Sequence, residues 1–511
     1  MRHETVLIVD FGSQVTQLIA RRVRETGVYA EIIAPTDAPS RLGSTEVRGL
    51  ILSGGPSSVY EAGAPRLAES VWNTEIPILG ICYGMQLLVH CTGGQVEEGR
   101  EREYGRAELT AGESRILRGI PKESVVWMSH GDRIQALPGG MRAVGCTENA
   151  PFAVVEDGER RRFGVQFHPE VRHTEFGASI VSAFVRDVCG CSGDWSMASY
   201  ETEAIESIRA EVGSEGRVVC GLSGGVDSSV MALLVHRAIG ERLTAIFVDN
   251  GLLRHGEVEQ VLSVFRDRFQ LPVELAASKD EFLARLAGVT DPEEKRRRIG
   301  NTFVEVFERH AKRVSASWLA QGTIYPDRIE SASVNGPSAT IKTHHNVGGL
   351  PEKMQLGLVE PLKWLFKDEV RLLGERLGLA RDFVDRHPFP GPGLAVRVVG
   401  EVTESRLEIL RQADHVFREE LESSGWMDKT SQAFAVLLPV QSVGVMGDGR
   451  TYEQVVALRS VDTDDFMTAD WSRLPADLLS RVATRIVGEV RGVNRVVYDI
   501  TSKPPGTIEW E

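Results

Sequence analysis

A cysteine framed by two glycines has the clearest capacity for chemistry in this sequence. Gly80-Ile-Cys82-Tyr-Gly84 follows an apolar run that begins at Pro77, and it has the spacing G-x-C-x-G. In such an elbow the glycines permit a tight turn that lifts the side chain off a sheet, and the next helix points its N-terminus at the sulfur. Both effects favour a thiolate, so the pattern predicts a nucleophile at Cys82 rather than a small buried hydrophobic residue.

A second motif supplies a base and a group that orients it, which a nucleophilic cysteine needs. Gly164-Val-Gln-Phe-His168-Pro-Glu170 ends another strand-like segment. Because side chains alternate along an extended chain, His168 and Glu170 are expected to share one face. The plainer alternative is that His168 is a surface residue.

A loop suited to an anion lies further along the chain. It follows a strand-like segment, opens a helical one, and consists of Ser223, Gly224, Gly225, Val226, Asp227, Ser228 and Ser229. Consecutive small residues expose backbone N–H groups, and the helix dipole adds positive potential. The loop lacks the G-K-[ST] ending of a Walker A motif. Phosphate would repel Asp227 unless Mg²⁺ lies between them, so a metal at Asp227 is predicted; the alternative is a serine-rich turn with a helix cap.

The elements that must position the cysteine read as an α/β fold. Short apolar segments at Val6–Asp10, Glu31–Ala34, Gly49–Leu52 and Pro77–Ile81 predict parallel strands, with a helix at Val15–Arg24. Closely spaced strand-like segments predict antiparallel pairing; they are Ser124–Met128, Ala153–Glu156 and Phe163–Phe167. The expected result is a doubly wound sheet with an added antiparallel part.

A second α/β unit is predicted after a Gly, Ser and Asp-rich stretch near 189–199. A strand at Arg217–Leu222, a loop, a helix from Val230 and a strand at Leu243–Val248 form a nucleotide-binding βαβ pattern. The proline-rich run His387–Gly393 can be neither helix nor central strand. Three domains are therefore expected, at 1–192, 193–387 and 388–511. The fold class is two doubly wound α/β domains followed by a small C-terminal α+β domain.

Composition limits the kind of protein this is. The 511 residues are 42% hydrophobic and 25% charged, which is ordinary for a globular protein. A net charge of −14 weighs against binding to nucleic acid. The chain shows no secretory signal and no stretch near the roughly 20 apolar residues of a membrane span. Six irregularly spaced cysteines are not a disulfide framework, so a cytoplasmic location without membrane partners is expected.

The cysteine motif resembles the class I glutamine amidotransferase family over 6–187. The resemblance implies that Cys82 attacks the amide of glutamine, that His168 is the acid and base, and that Glu170 orients His168. Gly54-Gly55-Pro56 looks like the family's oxyanion loop, which implies an oxyanion hole formed by the N–H groups of Gly55 and Tyr83. Three residues match the glutamine-holding positions, namely Gln86, Ser129 and His130. His130 is alternatively an ordinary loop residue.

The S-G-G-x-D-S-S loop is similar to the PP-loop of the ATP pyrophosphatases. That resemblance implies ATP as a substrate, with Mg²⁺, and transfer of AMP to an oxygen of the acceptor. Adenylation suits amination, because a carbonyl oxygen leaves poorly until it has been converted to AMP. Ammonia must arrive unprotonated, which explains a generator of ammonia on the same chain.

The whole chain resembles the GMP synthetase family, which aminates XMP. The segments that carry this resemblance are 325–331, 342–351, 387–397 and 503–511. The resemblance implies XMP contacts at Arg296, Gln441, Lys503 and Glu509, and a homodimer formed by the C-terminal domain. Lys342-Thr-His-His-Asn is expected to cover ATP. In isolation, Arg296 would be read as part of a solvated helix face, and the tail from Lys503 as frayed; its apolar character indicates that the tail docks.

Three alternatives differ in testable features. A glutamine-dependent NAD synthetase usually carries a nitrilase-type domain rather than a G-x-C-x-G elbow. A PP-loop enzyme that thiolates tRNA should show a basic surface and paired cysteines after the loop. A catalytically dead binding protein built on these folds would tend to lose Cys82 or Asp227, and this chain keeps both.

Overall fold

The computed structural model describes residues 3–332, 356–446, 449–463 and 466–511. The chain divides into two compact units, Met1–Glu203 and Ala204–Glu511. Within the described ranges, no helix is both long enough and apolar enough to cross a membrane.

The first unit alternates strands and helices before its strands become consecutive. Its elements are β1 (Thr5–Val9), α1 (Thr16–Glu25), β2 (Tyr29–Ile33), α2 (Ala38–Arg41), β3 (Val47–Leu52), α3 (Glu69–Trp72), β4 (Ile78–Ile81), α4 (Tyr83–Cys91), β5 (Gln95–Ala111), β6 (Glu123–Ala136), β7 (Arg142–Cys146), β8 (Val154–Asp157), β9 (Arg162–Val165), α5 (Gly177–Ala183) and the start of α6 (Met197–Val212).

These strands form one nine-stranded sheet in the order β2-β1-β3-β4-β9-β8-β7-β5-β6. The half from β2 to β9 is parallel, and its strands are continuous apolar runs such as Thr5–Val9 because helices cover them. The half from β9 to β6 is antiparallel. Strands β4 and β9 are neighbours, so the residues that follow them emerge at the same edge of the sheet.

The second unit contains two further sheets. Its elements after α6 are β10 (Val218–Leu222), α7 (Val226–Ile239), β11 (Leu243–Asp249), α8 (Glu257–Leu262), β12 (Val273–Ala277), α9 (Lys279–Leu286), α10 (Pro292–Arg313), β13 (Trp318–Ala320), α11 (Tyr325–Ala332), β14 (Gly357–Val359), α12 (Lys367–Arg376), α13 (Arg381–Val384), α14 (Glu404–Ser423), β15 (Gln432–Met446), β16 (Gly449–Asp462), β17 (Asp470–Trp471), α15 (Ala476–Glu489) and β18 (Val493–Asp499).

The first of these sheets is parallel, with the order β12-β11-β10-β13-β14. The chain reverses its direction of winding between β10 and β13, and ligands bind at such a switch point, beyond the carboxyl ends of the strands. The loop after β10 is the predicted anion loop. In the other sheet β16 pairs with β15, β17 and β18.

The predicted fold class is confirmed, and most predicted elements differ from the observed ones by a few residues at their ends. One start is wrong: the helix after β10 begins at Val226, not at Val230. The hydroxyls of Ser228 and Ser229 donate to the Gly225 carbonyl, so these residues form the first helical turn. The three-domain division stays a prediction, although one buried apolar cluster joins residues on both sides of 387, including Val219, Leu394 and Leu458.

Candidate active sites

The predicted elbow is present between β4 and α4. Cys82 has φ 50° and ψ −108°, a backbone conformation that residues other than glycine rarely adopt. A Cβ at Gly80 would lie 2.5 Å from the Met85 nitrogen, and one at Gly84 would lie 2.3 Å from the Leu52 oxygen. Only glycine fits at either position, because the backbone of the turn leaves no space for a side chain.

Cys82, His168 and Glu170 lie together. His168 Nδ1 is 2.7 Å from Glu170 Oε1, and the His168 side chain is also hydrogen-bonded to Cys82. Burial lowers the pKa of His168, but the hydrogen bonds to Cys82 and Glu170 and the carboxylate charge outweigh it and raise the pKa to about 10. Glu170 is almost completely buried. The arrangement can hold a thiolate beside an imidazolium, which suits nucleophilic attack followed by protonation of a leaving amine.

The predicted oxyanion loop lies against this elbow. A Cβ at Gly54 would be 3.2 Å from His168 Cε1, and one at Gly55 would be 3.4 Å from Tyr83 Cδ1. The Gly84 N–H donates to the Ser53 carbonyl at 3.0 Å, which ties the loop after β3 to the start of α4. The N–H groups of Gly55 and Tyr83 are thus on two segments that touch, as an oxyanion hole requires.

Of the predicted glutamine-holding residues, Gln86 and Ser129 line the surroundings of the sulfur. Cys82 Sγ lies 3.5 Å from the Ser129 carbonyl oxygen. Gln86 is buried, and its Nε2 donates to the Asp132 carbonyl at 3.2 Å and to Gln166 Oε1 at 3.3 Å. Both contacts attach β6 to the elbow.

His130 has internal partners at both ring nitrogens. Nδ1 lies 2.9 Å from the Asp132 carbonyl oxygen, and Nε2 lies 3.2 Å from Glu103 Oε2. Glu103 is buried beside it on β5 and also accepts from the Thr147 hydroxyl. His130 is therefore not a solvated loop residue, and its role in holding glutamine stays a prediction.

The predicted anion loop is closed on itself by its serines. The hydroxyls of Ser223 and Ser228 are 2.9 Å apart, and the N–H groups of Ser223 and Gly225 donate to Ser228 Oγ and Ser223 Oγ. Gly225 has an extended backbone at the N-cap of α7, and Gly224 has φ +74°. The loop thus surrounds the start of a 14-residue helix with N–H and O–H donors, which suits phosphate.

Asp227 lies in the first turn of α7, and its Oδ2 forms an ion pair with Lys367 at the start of α12. Its Oδ1 is buried and has no hydrogen-bond partner in the described part of the chain. Those same ranges hold no group of three or more His, Cys, Asp or Glu side chains that could bind a metal by themselves. One free carboxylate oxygen beside a phosphate loop nevertheless fits Mg²⁺, which usually takes one or two carboxylates and completes its shell with phosphates and water.

The predicted acceptor residues divide into two groups. Arg296 and Glu509 are bound to their own chain: Arg296 donates to the Glu511 main-chain oxygen, and Glu509 receives a two-pronged ion pair from Arg397 at 2.8 and 3.1 Å. Lys503 Nζ donates to the Phe466 carbonyl, and Gln441 is exposed on β15. The structure therefore brings Arg296 and Glu509 to the docked tail and does not join them directly to Lys503 or Gln441.

Docking of the tail is confirmed by its ion pairs. Glu511 Oε1 accepts the Gly400 N–H at 2.9 Å, and Oε2 pairs with the fully buried Lys295. Gln432 Nε2 donates to Glu509 at 2.9 Å. Sequence reasoning missed Lys295 and Arg397; their only signals were the basic run at 295–298 and the proline-rich motif that precedes Arg397.

Two more residues were missed beside the anion loop. Lys367 gave no local signal, since it is an ordinary first residue of an amphipathic helix. Arg386 donates to the Gly224 carbonyl and directly precedes the proline-rich motif, which was its one available signal.

Three family models match successive parts of the chain. "Glutamine amidotransferase class-I" matches residues 7–188, "NAD synthase" matches 198–287, and "GMP synthase C terminal domain" matches 419–510. The first match covers the cysteine elbow and its histidine motif, and the second covers the anion loop.

Similar proteins match over the full chain. "GMP synthase [glutamine-hydrolyzing]" of Phenylobacterium zucineum is 57% identical over 100% of this chain and 99% of its own length. The protein of the same name from Zymomonas mobilis is 56% identical over 99% and 98%. Among solved structures, a putative GMP synthase protein from Thermoplasma acidophilum is 29% identical, with a TM-score of 0.34, over 37% of this chain and 96% of its own. With an elbow, an anion loop and full-length identity above one half, the chain belongs to the family of glutamine-hydrolysing GMP synthases.

Proposed function

We propose that this protein makes GMP from XMP, ATP, glutamine and water, and that it releases AMP, pyrophosphate and glutamate. The observation that carries the proposal is the presence, on one chain, of a Cys82–His168–Glu170 elbow and of a PP-loop at the switch point of a parallel sheet. The first can release ammonia from glutamine, and the second can bind the ATP that activates the acceptor.

Glutamine hydrolysis begins with attack of the Cys82 thiolate on the side-chain amide carbon. The N–H groups of Gly55 and Tyr83 stabilise the oxyanion that forms. His168, charged because its pKa is raised, donates a proton to the nitrogen, ammonia leaves and a glutamyl thioester remains. His168 then takes a proton from water, which hydrolyses the thioester to glutamate. Glu170 fixes the orientation of the His168 ring throughout, and Gln86, Ser129 and His130 hold the substrate.

The synthetase reaction activates an oxygen of XMP. That oxygen attacks the α-phosphorus of ATP, and pyrophosphate leaves; ammonia then attacks the ring carbon, and AMP leaves with the oxygen. The N–H and O–H donors of residues 223–229 bind the phosphates. Bound Mg²⁺ would neutralise phosphate charge, and Asp227 Oδ1 is the atom that would hold it. ATP is a substrate here, and Lys367 keeps the other oxygen of Asp227 oriented.

The acceptor is proposed to bind at Arg296, Gln441, Lys503 and Glu509. Arg296 and Lys503 suit the phosphate by charge, and Glu509 suits the purine edge by accepting hydrogen bonds. Since Arg397 already holds the Glu509 carboxylate with two hydrogen bonds, that carboxylate would meet the base in a fixed orientation.

Assembly as a homodimer through the C-terminal domain is a further part of the proposal. The hairpin of β15 and β16 exposes apolar side chains in register, including Val443 opposite Tyr452, which are 44% and 63% exposed. Surface of this kind suits association with a second copy. A cytoplasmic location accords with the free cysteines.

The decisive assay mixes purified protein with XMP, Mg-ATP and glutamine and measures pyrophosphate. We expect one pyrophosphate, one AMP and one glutamate for each GMP. Release of ADP and orthophosphate, or a rate that does not depend on XMP, would contradict the proposal.

A further inference from the structure

The carbonyl of Gly224, in the PP-loop, has a charged partner from a distant part of the chain. Arg386 Nη1 donates to the Gly224 oxygen at 3.0 Å across 162 residues of sequence. The other arm of the same guanidinium, Nη2, lies 3.0 Å from Glu257 Oε1. Arg386 therefore clamps the loop while it is itself held by a carboxylate.

The conformation of Gly224 gives this contact a consequence. Gly224 has φ +74°, and a Cβ there would lie 3.1 Å from Val261 Cγ2, so the residue is confined as well as unusual. In a planar trans peptide the carbonyl and the following N–H point in opposite directions. Fixing the Gly224 oxygen on Arg386 thus turns the Gly225 N–H toward the other side, where Ser223 Oγ accepts it.

Glu257 is built to hold Arg386. It is the first residue of α8, and its side chain is 4% exposed. One oxygen faces Arg386, and the other accepts the Arg254 N–H at 3.1 Å. A buried carboxylate whose oxygens both have donors has little freedom to move, and the guanidinium fork that it holds is planar and rigid.

The segment that carries Arg386 is itself stiff. Proline alternates through Pro388, Pro390 and Pro392, which fixes the backbone. His387 Nε2 lies 3.0 Å from the Met427 carbonyl, and the Phe389 ring has the Arg254 guanidinium 4.4 Å from its centroid. Arg386 is therefore anchored on both sides of the contact that it makes.

We propose that Arg386, oriented by Glu257, is a positioning residue that holds the PP-loop in the conformation that binds the phosphates of ATP. It touches no substrate; it acts by fixing the peptide between Gly224 and Gly225. The proposal rests on the proposed function in one respect, namely that the loop binds ATP.

The test compares Arg386→Gln with Arg381→Gln in the full-length protein. Arg381 is a matched control, because it lies five residues earlier and makes an ion pair with Asp385 at 3.2 Å, but its side chain is 83% exposed. Binding of Mg-ATP is measured by calorimetry, and the KM values for ATP and ammonium are measured in the ammonium-driven reaction with XMP. Loss of a charged hydrogen bond predicts a 10- to 100-fold weaker Kd and a KM for ATP raised as much in Arg386→Gln, with the KM for ammonium unchanged. Arg381→Gln should match the wild type within twofold.

Two further variants separate positioning from general stability. Arg386→Lys keeps the charge but lacks the fork, so it should recover only part of the ATP affinity. If Arg386 acts through Glu257, the double variant with Glu257→Gln should be no worse than Arg386→Gln alone. An ATP affinity within twofold of the wild type, full recovery in Arg386→Lys, additive losses in the double variant, or equal rises in both KM values with a lower melting temperature would each overturn the proposal.

The proposed function and this inference fail in different ways. A wild-type protein that binds Mg-ATP but does not turn over XMP would contradict the proposed acceptor, while weaker ATP binding by Arg386→Gln would still support the clamp. A wild-type protein that binds no ATP would overturn both.

Discussion

In the elbow of the first unit the reactive groups face one another, whereas in the PP-loop of the second unit they face substitutes. Cys82, His168 and Glu170 form a continuous hydrogen-bonded series. In the PP-loop, the donors that would meet phosphate are satisfied by Ser223 and Ser228. The elbow needs only glutamine to begin, but the loop must exchange internal partners for ATP.

This difference shows two ways of preparing a site. A preorganised arrangement costs no reorganisation at the moment of reaction, and it is expensive in the fold, because Cys82 sits in an unfavourable backbone conformation. A self-satisfied loop avoids unpaired polar groups before ATP arrives. Substitutions in the first site should therefore act on chemistry, and those in the second on ATP binding and adenylation.

The largest effect is expected from Cys82→Ala. Without the nucleophile, glutamine-dependent GMP formation should fall on the order of 10⁴- to 10⁶-fold, while activity with added ammonium at alkaline pH remains. Cys91→Ala, at the other end of α4, is the matched control and should keep both activities. Loss of the ammonium-driven reaction in Cys82→Ala would show a structural role for Cys82 and remove the contrast between the two sites.

Glu170→Gln should be next in size, with glutamine hydrolysis reduced on the order of 10³- to 10⁴-fold. Glu170 raises the pKa of His168, so the substitution lowers that pKa from about 10. The imidazolium that protonates ammonia is then lost at lower pH, and the alkaline limb of the pH profile should move down. Glutamate release measured between pH 7 and 10.5 tests this. Glu175→Gln, whose side chain accepts only the Val125 N–H among the described contacts, is the control; an unmoved alkaline limb in Glu170→Gln would contradict the assignment.

Asp227→Asn should affect only the second site. If Asp227 holds Mg²⁺, ammonium-driven pyrophosphate release should fall on the order of 100-fold, and more Mg²⁺ should be needed for half-maximal rate. Titration of Mg²⁺ at fixed ATP measures both. An unchanged Mg²⁺ requirement would mean that Asp227 serves only as the ion-pair partner of Lys367.

The smallest effect is expected from Glu103→Gln. It weakens the support of His130, so the KM for glutamine should rise about tenfold while the ammonium-driven rate stays the same. Glu108→Gln, an exposed residue on the same strand, is the control. A fall in the turnover number of Glu103→Gln with no change in KM would place His130 in the chemistry rather than in binding.

Local patterns account for what the sequence predicted well. The glycines around Cys82 lie two residues to either side of it, and the turn that excludes any other residue there is written in adjacent letters. His168 and Glu170 are two residues apart on extended chain, and alternation alone places them together. Strands such as Val47–Leu52 are continuous apolar runs, which is how a parallel sheet covered by helices reads.

Distant pairings account for what the sequence did not predict. Lys367 meets Asp227 across 140 residues, and Arg386 meets Gly224 across 162, and neither lysine nor arginine signals such a partner in its own neighbourhood. The long strands β5 and β6 were missed or cut short because their charged, half-exposed sequences lack a strong apolar alternation. The start of α7 was placed too late because serine and aspartate are as common in the first turn of a helix as in a loop.

The strained backbone at Cys82 has a consequence for the evolution of the chain. A glycine at position 82 would relieve a conformation that costs on the order of 1 kcal/mol or more, so the inactive variant Cys82→Gly should melt at a slightly higher temperature than the active protein. Selection for thermal robustness alone would therefore drive the nucleophile out, and a lineage that no longer needs glutamine would be free to lose it. The cysteine persists there only under selection for its reactivity.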